Sequence, residues 1–269
     1  FYPHQVKQAE KGFLKMVRTG AFIDSVHIFA VGGGGFTHEQ TPKNEDHILE
    51  DYLLALTLPH PNIGYIGHAS NDDPDRIKAF YACFKGIAKT SHLPIMADLK
   101  AAEAFVDGLD VLYVGGGSTL KMLSHWRQTG IDKVLLNAGQ RGMILSGVSA
   151  GAICWFDKLL LSTQDDDYIL ADGLGLVGGS ICPHYRNEPH RKAAYEAQIV
   201  AGNLPSGLAI DDGVGVYIKD AVVLDIIRAG IGNAYLVTSD KTCHEQKNAS
   251  GQGMACNVSI LEIGYELVF

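Results

Sequence analysis

The stretch Met143-Ile-Leu-Ser-Gly-Val-Ser-Ala-Gly-Ala-Ile-Cys-Trp-Phe156 decides how the chain is read. Met143–Val148 is a short, largely apolar run of strand length, Gly147-Val148-Ser149-Ala150-Gly151 supplies a tight turn, and Ala150–Phe156 can start a helix. In that context a G-x-S-x-G turn can set its serine on a strained elbow, with the flanking glycines relieving the crowding. A tight turn holding a merely structural serine fits the same residues, so the surroundings must discriminate.

Moving outward, short apolar runs alternate with amphipathic stretches. Val26–Val31, Asn62–Gly67, Val111–Val114 and, more weakly, Leu93–Met96 read as strands. Between them, helical spacing is expected around Ile48–Leu56, with Thr41-Pro42 as N-cap and first-turn proline, and over Pro74–Ala88, Thr119–Thr129 and Asp132–Gln140. This rhythm predicts a three-layer α/β fold with a mostly parallel sheet and helices on both faces. Beyond Ser149, Leu159–Leu161 and Gly173–Gly179 read as loops and short strands, and Glu188–Val200 as a helix. Leu208–Ile210, Val214–Ile218, Val222–Ile227, Tyr235–Val237 and Val258–Ile263 alternate as antiparallel strands closing one side of the sheet. With no repeat or Pro/Ser-rich linker, residues 1–269 are expected to form one catalytic domain.

Composition narrows the function. At 46% hydrophobic and 19% charged, the 269 residues suit a large core and exclude disordered and coiled-coil readings. A net charge of −8 offers no surface to neutralise a phosphate backbone, so nucleic acid is not an expected partner. The five cysteines, Cys83, Cys154, Cys182, Cys243 and Cys256, include no C-x-x-C pair and read as reduced thiols. No apolar run approaches the roughly 18 residues of a membrane span, and Phe1-Tyr-Pro-His resembles no signal peptide, so a cytoplasmic enzyme away from membranes is expected. Homo-oligomer formation is left open. The 31 glycines exceed the typical share of about 7% and concentrate where backbone turns tightly or meets a ligand.

Gly115-Gly116-Gly117-Ser118-Thr119 follows a strand and opens a helix, which exposes backbone N–H groups to an anion. It lacks the lysine of a P-loop, so an oxyanion contribution beside Ser149 fits better than a nucleotide phosphate. Of eleven histidines, His184 stands out in the stiff Cys182-Pro183-His184-Tyr185 segment, where a general base is useful. His68 and His92, near strand ends, stay in play, whereas His27, His4, His47, His60, His125 and His244 read as core, helix or loop residues. Asp211 and Asp212 both qualify to orient the imidazole, and Asp165, Asp166 and Asp167 compete as a solvated acidic run. Gly173-Leu-Gly-Leu-Val-Gly178 is a literal G-x-G-x-x-G, but it follows an acidic loop and leads to no helix. Cys182, His184 and His190 form no complete metal set, so neither metal nor cofactor is expected.

Taken together, Tyr113–Thr119, Gly147–Ala152, Cys182–Tyr185 and Ala209-Ile-Asp-Asp-Gly213 resemble the peptidase E (α-aspartyl dipeptidase) family of serine peptidases, which also includes cyanophycinases. The likeness runs from about Val31 to Val237 and takes in Gly32–Phe36, Trp126-Arg127 and Ile153–Phe156. It implies a fold similar to the class I glutamine amidotransferases, with Ser149 as nucleophile, His184 as base and Asp212 as orienting carboxylate. It further implies oxyanion donors at Gly116 and Ala150, and a small peptide substrate with amino-terminal Asp. Such a substrate calls for a cation, and Arg186 and Arg191 are the candidates. Cleavage of an Asp-Arg polymer and a non-catalytic binding protein of the same fold are the alternatives. Two positions depart from the family pattern: Ser118 stands where Asn is usual, and Asp212 where Glu is common.

Overall fold

The computed structural model of the chain describes residues 25–37, 47–163, 167–239 and 256–267. The expected cap Thr41-Pro42, the amino-terminal Phe1-Tyr-Pro-His, Asp165, Asp166, Cys243 and His244 lie outside the described residues.

Strands β1 (His27–Val31), β2 (Asn62–Ile66), β3 (Lys89–Leu93), β4 (Val111–Val114) and β5 (Ile144–Val148) run parallel, side by side in the order β1-β5-β4-β2-β3. Helices cover both faces, so β4 and β5 are buried throughout and show no polar alternation. Phe29, Val31, Ile63, Tyr65, Val111 and Tyr113 pack with α1 (Ile48–Ala55) and α2 (Pro74–Cys83). Ile28, Ala30, Leu112, Val114 and Leu145 belong instead to the cluster that includes α3 (Leu99–Val106), α4 (Thr119–Thr129) and α5 (Ile131–Gln140). Three layers result, as the alternation predicts.

Four details depart from expectation. The third strand is Lys89–Leu93, not Leu93–Met96: it is an edge strand whose only buried residue is Leu93, so apolar patterning cannot locate it. The helix after the elbow, α6 (Ala150–Ile153), is short, and the chain re-enters a strand at Phe156. Leu159–Leu161, expected among loops and short strands, lies wholly within the seven-residue strand β6 (Phe156–Ser162), and Gly173–Gly179 runs from a loop into β8 (Val177–Cys182).

The fourth departure is the largest. Only β10 (Val214–Lys219) and β11 (Val222–Arg228) extend the parallel sheet as antiparallel strands. β9 (Gly207–Ile210), β12 (Ala234–Ser239) and β13 (Cys256–Ile260) instead join β6, β7 (Tyr168–Asp172) and β8 in a second sheet, ordered β13-β12-β9-β8-β6-β7. Burial explains the division. Leu159, Leu161, Ile181, Leu208 and Ile210 share the large cluster with the first sheet, while Leu160, Cys182, Ala209 and Val237 pack on Tyr195 and Ile199 of α7 (Pro189–Val200). Among the described residues no helix is long and apolar enough to cross a membrane.

The elbow is locked to the first sheet by close backbone approach. A Cβ on Gly151 would lie 2.0 Å from the Val114 carbonyl oxygen of β4. Gly151→Ala should therefore lower stability by about 1–3 kcal/mol through overpacking, read by denaturant unfolding. Gly178→Ala, whose added carbon would meet nothing within 4 Å, should stay close to wild type.

Candidate active site

The nucleophile candidate is placed by three parallel strands. Ser149 follows β5 directly, its N–H donating to the Val31 carbonyl at the end of β1, and its backbone sits at φ 53°, ψ −113°. Positive φ on a serine costs about 1–3 kcal/mol and persists only where the surroundings enforce it. Here the enforcement comes from the packed glycine at 151 and from the Ala152 and Ile153 N–H groups, which both donate to the Ser149 carbonyl.

His184 and Asp212 arrive from the second sheet. His184 follows β8 and also has positive φ, at 54°; the Asn187 and Glu188 N–H groups donate to its carbonyl. Asp212 follows β9, and its N–H donates to Asn187 Oδ1. His184 Nε2 lies 2.9 Å from Ser149 Oγ, and Nδ1 lies 2.5 Å from Asp212 Oδ1. A carboxylate only accepts, so Nδ1 carries the proton and Nε2 is left to accept from the serine hydroxyl. The imidazole and carboxylate rest on Gly33, where a Cβ would fall 2.0 Å from Asp212 Oδ1 and 2.6 Å from the imidazole Nδ1. Nothing larger than glycine fits there.

Of the two adjacent carboxylates, Asp212 contacts the histidine and Asp211 does not. Asp211 is buried and accepts from the Arg186 N–H and Nε, the Asn233 N–H and the Tyr235 hydroxyl. It therefore fixes the loop around the site.

The triple-glycine loop lies on the other side of the serine. Gly115 N–H donates to Ile66, and Ser118 N–H to Ala69. Ser118, the departure from the family's usual Asn, caps α4 by accepting from Lys121 N–H. A Cβ on Gly116 would stand 3.4 Å from Ser149 Cβ. No described group accepts from the Gly116 or Ala150 N–H, so both donors stay available beside Ser149.

The remaining sequence candidates sit elsewhere. His68 is buried, accepts from Trp126 Nε1 and donates from Nε2 to the Leu93 carbonyl; burial lowers its pKa and keeps it neutral, a structural strut. His92 bonds Tyr81 and His27 bonds Tyr217. Asp167 is exposed at the start of the β7 hairpin. Arg186 and Arg191, the candidate cations for a substrate carboxylate, are ion-paired to Asp211 and Glu188, each at 2.7 Å. No group of three or more metal-ligating side chains occurs among the described residues.

Two contributors, Arg76 and Glu50, carry no motif in the sequence, and a third, Gly33, lies in the Gly32–Phe36 run that the family resemblance takes in. Arg76, on the first turn of α2, donates from Nη1 to the Gly116 carbonyl at 2.7 Å. Gly33 forms the floor under the His–Asp pair. Buried Glu50, on α1, accepts from Phe36 N–H and so anchors the loop that carries Gly33. Burial raises the Glu50 carboxyl above the ordinary glutamate range. The one legible signal for Arg76 is location, since its segment follows a strand, where sites in parallel sheets gather.

Comparison with known proteins gives a consistent picture. Residues 28–226 match the sequence profile of peptidase family S51. The uncharacterized peptidase YgaJ of Bacillus subtilis (strain 168) is 37% identical over 217 residues, which cover 78% of this chain and 91% of YgaJ. Peptidase E of Streptomyces coelicolor is 35% identical over 86 residues, 30% of this chain and 35% of its own. Two solved structures share the fold. A protein assigned as peptidase E from Listeria monocytogenes EGD-e gives a TM-score of 0.57 at 21% identity, over 76% of this chain and 98% of that one. A peptidase from an acI-B1 actinobacterium gives 0.56 at 15% identity, over 78% and 94%.

Asp212→Asn should lower kcat by about 10⁴, the scale on which a triad carboxylate acts through histidine tautomer, with stability near wild type. Asp211→Asn should instead cost about 1–3 kcal/mol of stability by setting an amide against its N–H donors; paired melts and kinetics separate the two. Glu50 sets a pH effect. Its raised pKa means the folded state holds the proton more tightly, so its contribution is full below the ordinary glutamate range and fades as pH rises through the raised value. Relative to Glu50→Gln, wild type should lose stability as pH rises above the ordinary glutamate range, measured by urea unfolding across a pH series.

Proposed function

Because the chain belongs to peptidase family S51, we propose that this peptidase works through an acyl-enzyme on Ser149 and acts on short peptides, dipeptides with an amino-terminal Asp above all. The observation that supports this is the continuous chain from Ser149 Oγ to His184 Nε2 and from Nδ1 to Asp212, at 2.9 and 2.5 Å, with the serine on its positive-φ elbow.

The proposed steps follow from that geometry. His184 Nε2 takes the hydroxyl proton as Oγ attacks the scissile carbonyl, and Asp212 stabilises the imidazolium that forms. The carbonyl oxygen becomes an oxyanion facing the unengaged Ala150 and Gly116 N–H groups, where each preorganised donor contributes about 10²–10³ in kcat. Collapse breaks the C–N bond, His184 returns its proton to the leaving amine, and water, activated by the same imidazole, releases the acid and regenerates Ser149. No step calls for a cofactor.

A dipeptide panel varied at the first residue, run with wild type and Ser149→Ala, tests this reading. The expected result is preference for Asp-X, loss of kcat/KM by at least about 10³ in the variant, and labelling of wild type alone by a fluorophosphonate. Cleavage that persists in Ser149→Ala removes the mechanism. Cleavage without preference for Asp removes the specificity alone, and turnover of an Asp-Arg polymer in place of dipeptides points to the cyanophycinase-like activity.

A further inference from the structure

Arg76 is held so that its guanidinium reaches the nucleophile's surroundings. Asp73 caps α2 by accepting from the Asp75 and Arg76 N–H groups, which fixes the backbone from which Arg76 extends. Its Nη1 donates to the Gly116 carbonyl at 2.7 Å. A Cβ on Gly116 would stand 3.8 Å from that nitrogen and 3.4 Å from Ser149 Cβ, so guanidinium and nucleophile flank the same glycine.

Among the described residues this guanidinium has no ion pair with a carboxylate. Arg186 and Arg191 are paired with carboxylates, whereas among the described residues no carboxylate oxygen comes within 4.0 Å of the Arg76 guanidinium. Its partner at Gly116 is a neutral carbonyl. Two acids lie nearby without pairing with it: Asp73 caps α2, and Asp72 accepts from the Ile95 N–H through Oδ2 while its buried Oδ1 has no hydrogen-bond partner among the described residues. Tyr65, also close, has its phenol pushed up to about 12 by burial and stays neutral. A guanidinium carries five donors, so one used on Gly116 leaves an edge free for a planar anion.

We propose that Arg76 binds the side-chain carboxylate of the substrate's amino-terminal acidic residue while holding the Gly116 carbonyl, so that one side chain both selects the substrate and positions the oxyanion loop. The proposal rests on the Asp-preferring serine-peptidase reading above. It follows physically because the peptide unit is planar: fixing the Gly116 carbonyl fixes the plane shared with Gly117, and with it the turn that presents the Gly116 N–H. An acid docked on the same guanidinium lies within side-chain reach of an acyl carbonyl at Ser149.

The test compares kcat and KM for Asp-Leu and Ala-Leu in wild type, Arg76→Gln and Arg76→Lys, with melting temperature and fluorophosphonate labelling of Ser149 as checks on folding. Arg76→Gln should cut the Asp-Leu to Ala-Leu ratio of kcat/KM by roughly tenfold or more, chiefly through KM for Asp-Leu, with a smaller fall in kcat shared by both substrates. Arg76→Lys keeps the charge without the planar fork and should lower the ratio by a smaller factor; it decides the matter if the glutamine variant fails to fold. An equal loss on both substrates would confine Arg76 to holding the loop and overturn its role in selection. A wild type that prefers Asp-Leu, with the preference intact in the folded variants, overturns the assignment to Arg76 and leaves the functional reading standing. A wild type without preference for Asp overturns both.

Discussion

The hydrogen bond from Gly213 N–H to the Gly33 carbonyl, at 2.8 Å, joins the two sheets at the point on which the site depends. Gly33 and Asp212 form a parallel bridge there. The first sheet delivers Ser149 on β5, the glycine loop after β4 and the Gly33 floor after β1; the second delivers His184 after β8 and Asp212 after β9. A chain of hydrogen bonds near 2.5–2.9 Å tolerates little relative shift between its members. The Asp212 carboxylate and the His184 imidazole occupy the space a Cβ on Gly33 would take, which explains why position 33 carries no side chain.

Adjacent acids divide the work at that junction. Asp211 is buried and surrounded by donors, so its charge is spent on fixing the Arg186, Asn233 and Tyr235 neighbourhood. Asp212, one residue on, faces the opposite way and keeps an oxygen for His184. Successive residues of extended backbone point to opposite sides, so a pair of acids at a strand end can serve structure and site at once without competing for the same donors.

The same geometry explains what the sequence could and could not disclose. Ser149 is legible because its strand, turn and helix are contiguous, and the α/β layering is legible because β1, β2, β4 and β5 are buried and apolar. His184 is suggested by the proline-stiffened loop. The choice between Asp211 and Asp212 depends on which side of β9 meets Gly33, a contact between segments far apart in the chain. Arg76 is hidden for a similar reason: its importance exists only because β2 lies beside β4, placing the helix after one strand over the glycine loop after the other. The second sheet was misread because alternation reveals a half-buried strand without specifying which sheet receives it.

Assembling the site from two sheets also ties its geometry to the large core. Strained backbone at Ser149 and His184 is maintained by contacts on separate sheets, and both sheets bury side chains in one shared cluster, including Leu112 and Leu145 on one side and Leu159 and Leu208 on the other. The Ser149–His184 contact spans the boundary between the two sheets, whereas the Ser149–Gly116 neighbourhood lies wholly within the first sheet. Core mutations should consequently disturb the Ser149–His184 contact before they disturb the backbone donors beside the serine. The glycine loop and elbow belong to one sheet, and the histidine with its aspartate forms the half whose alignment to them the shared core must hold.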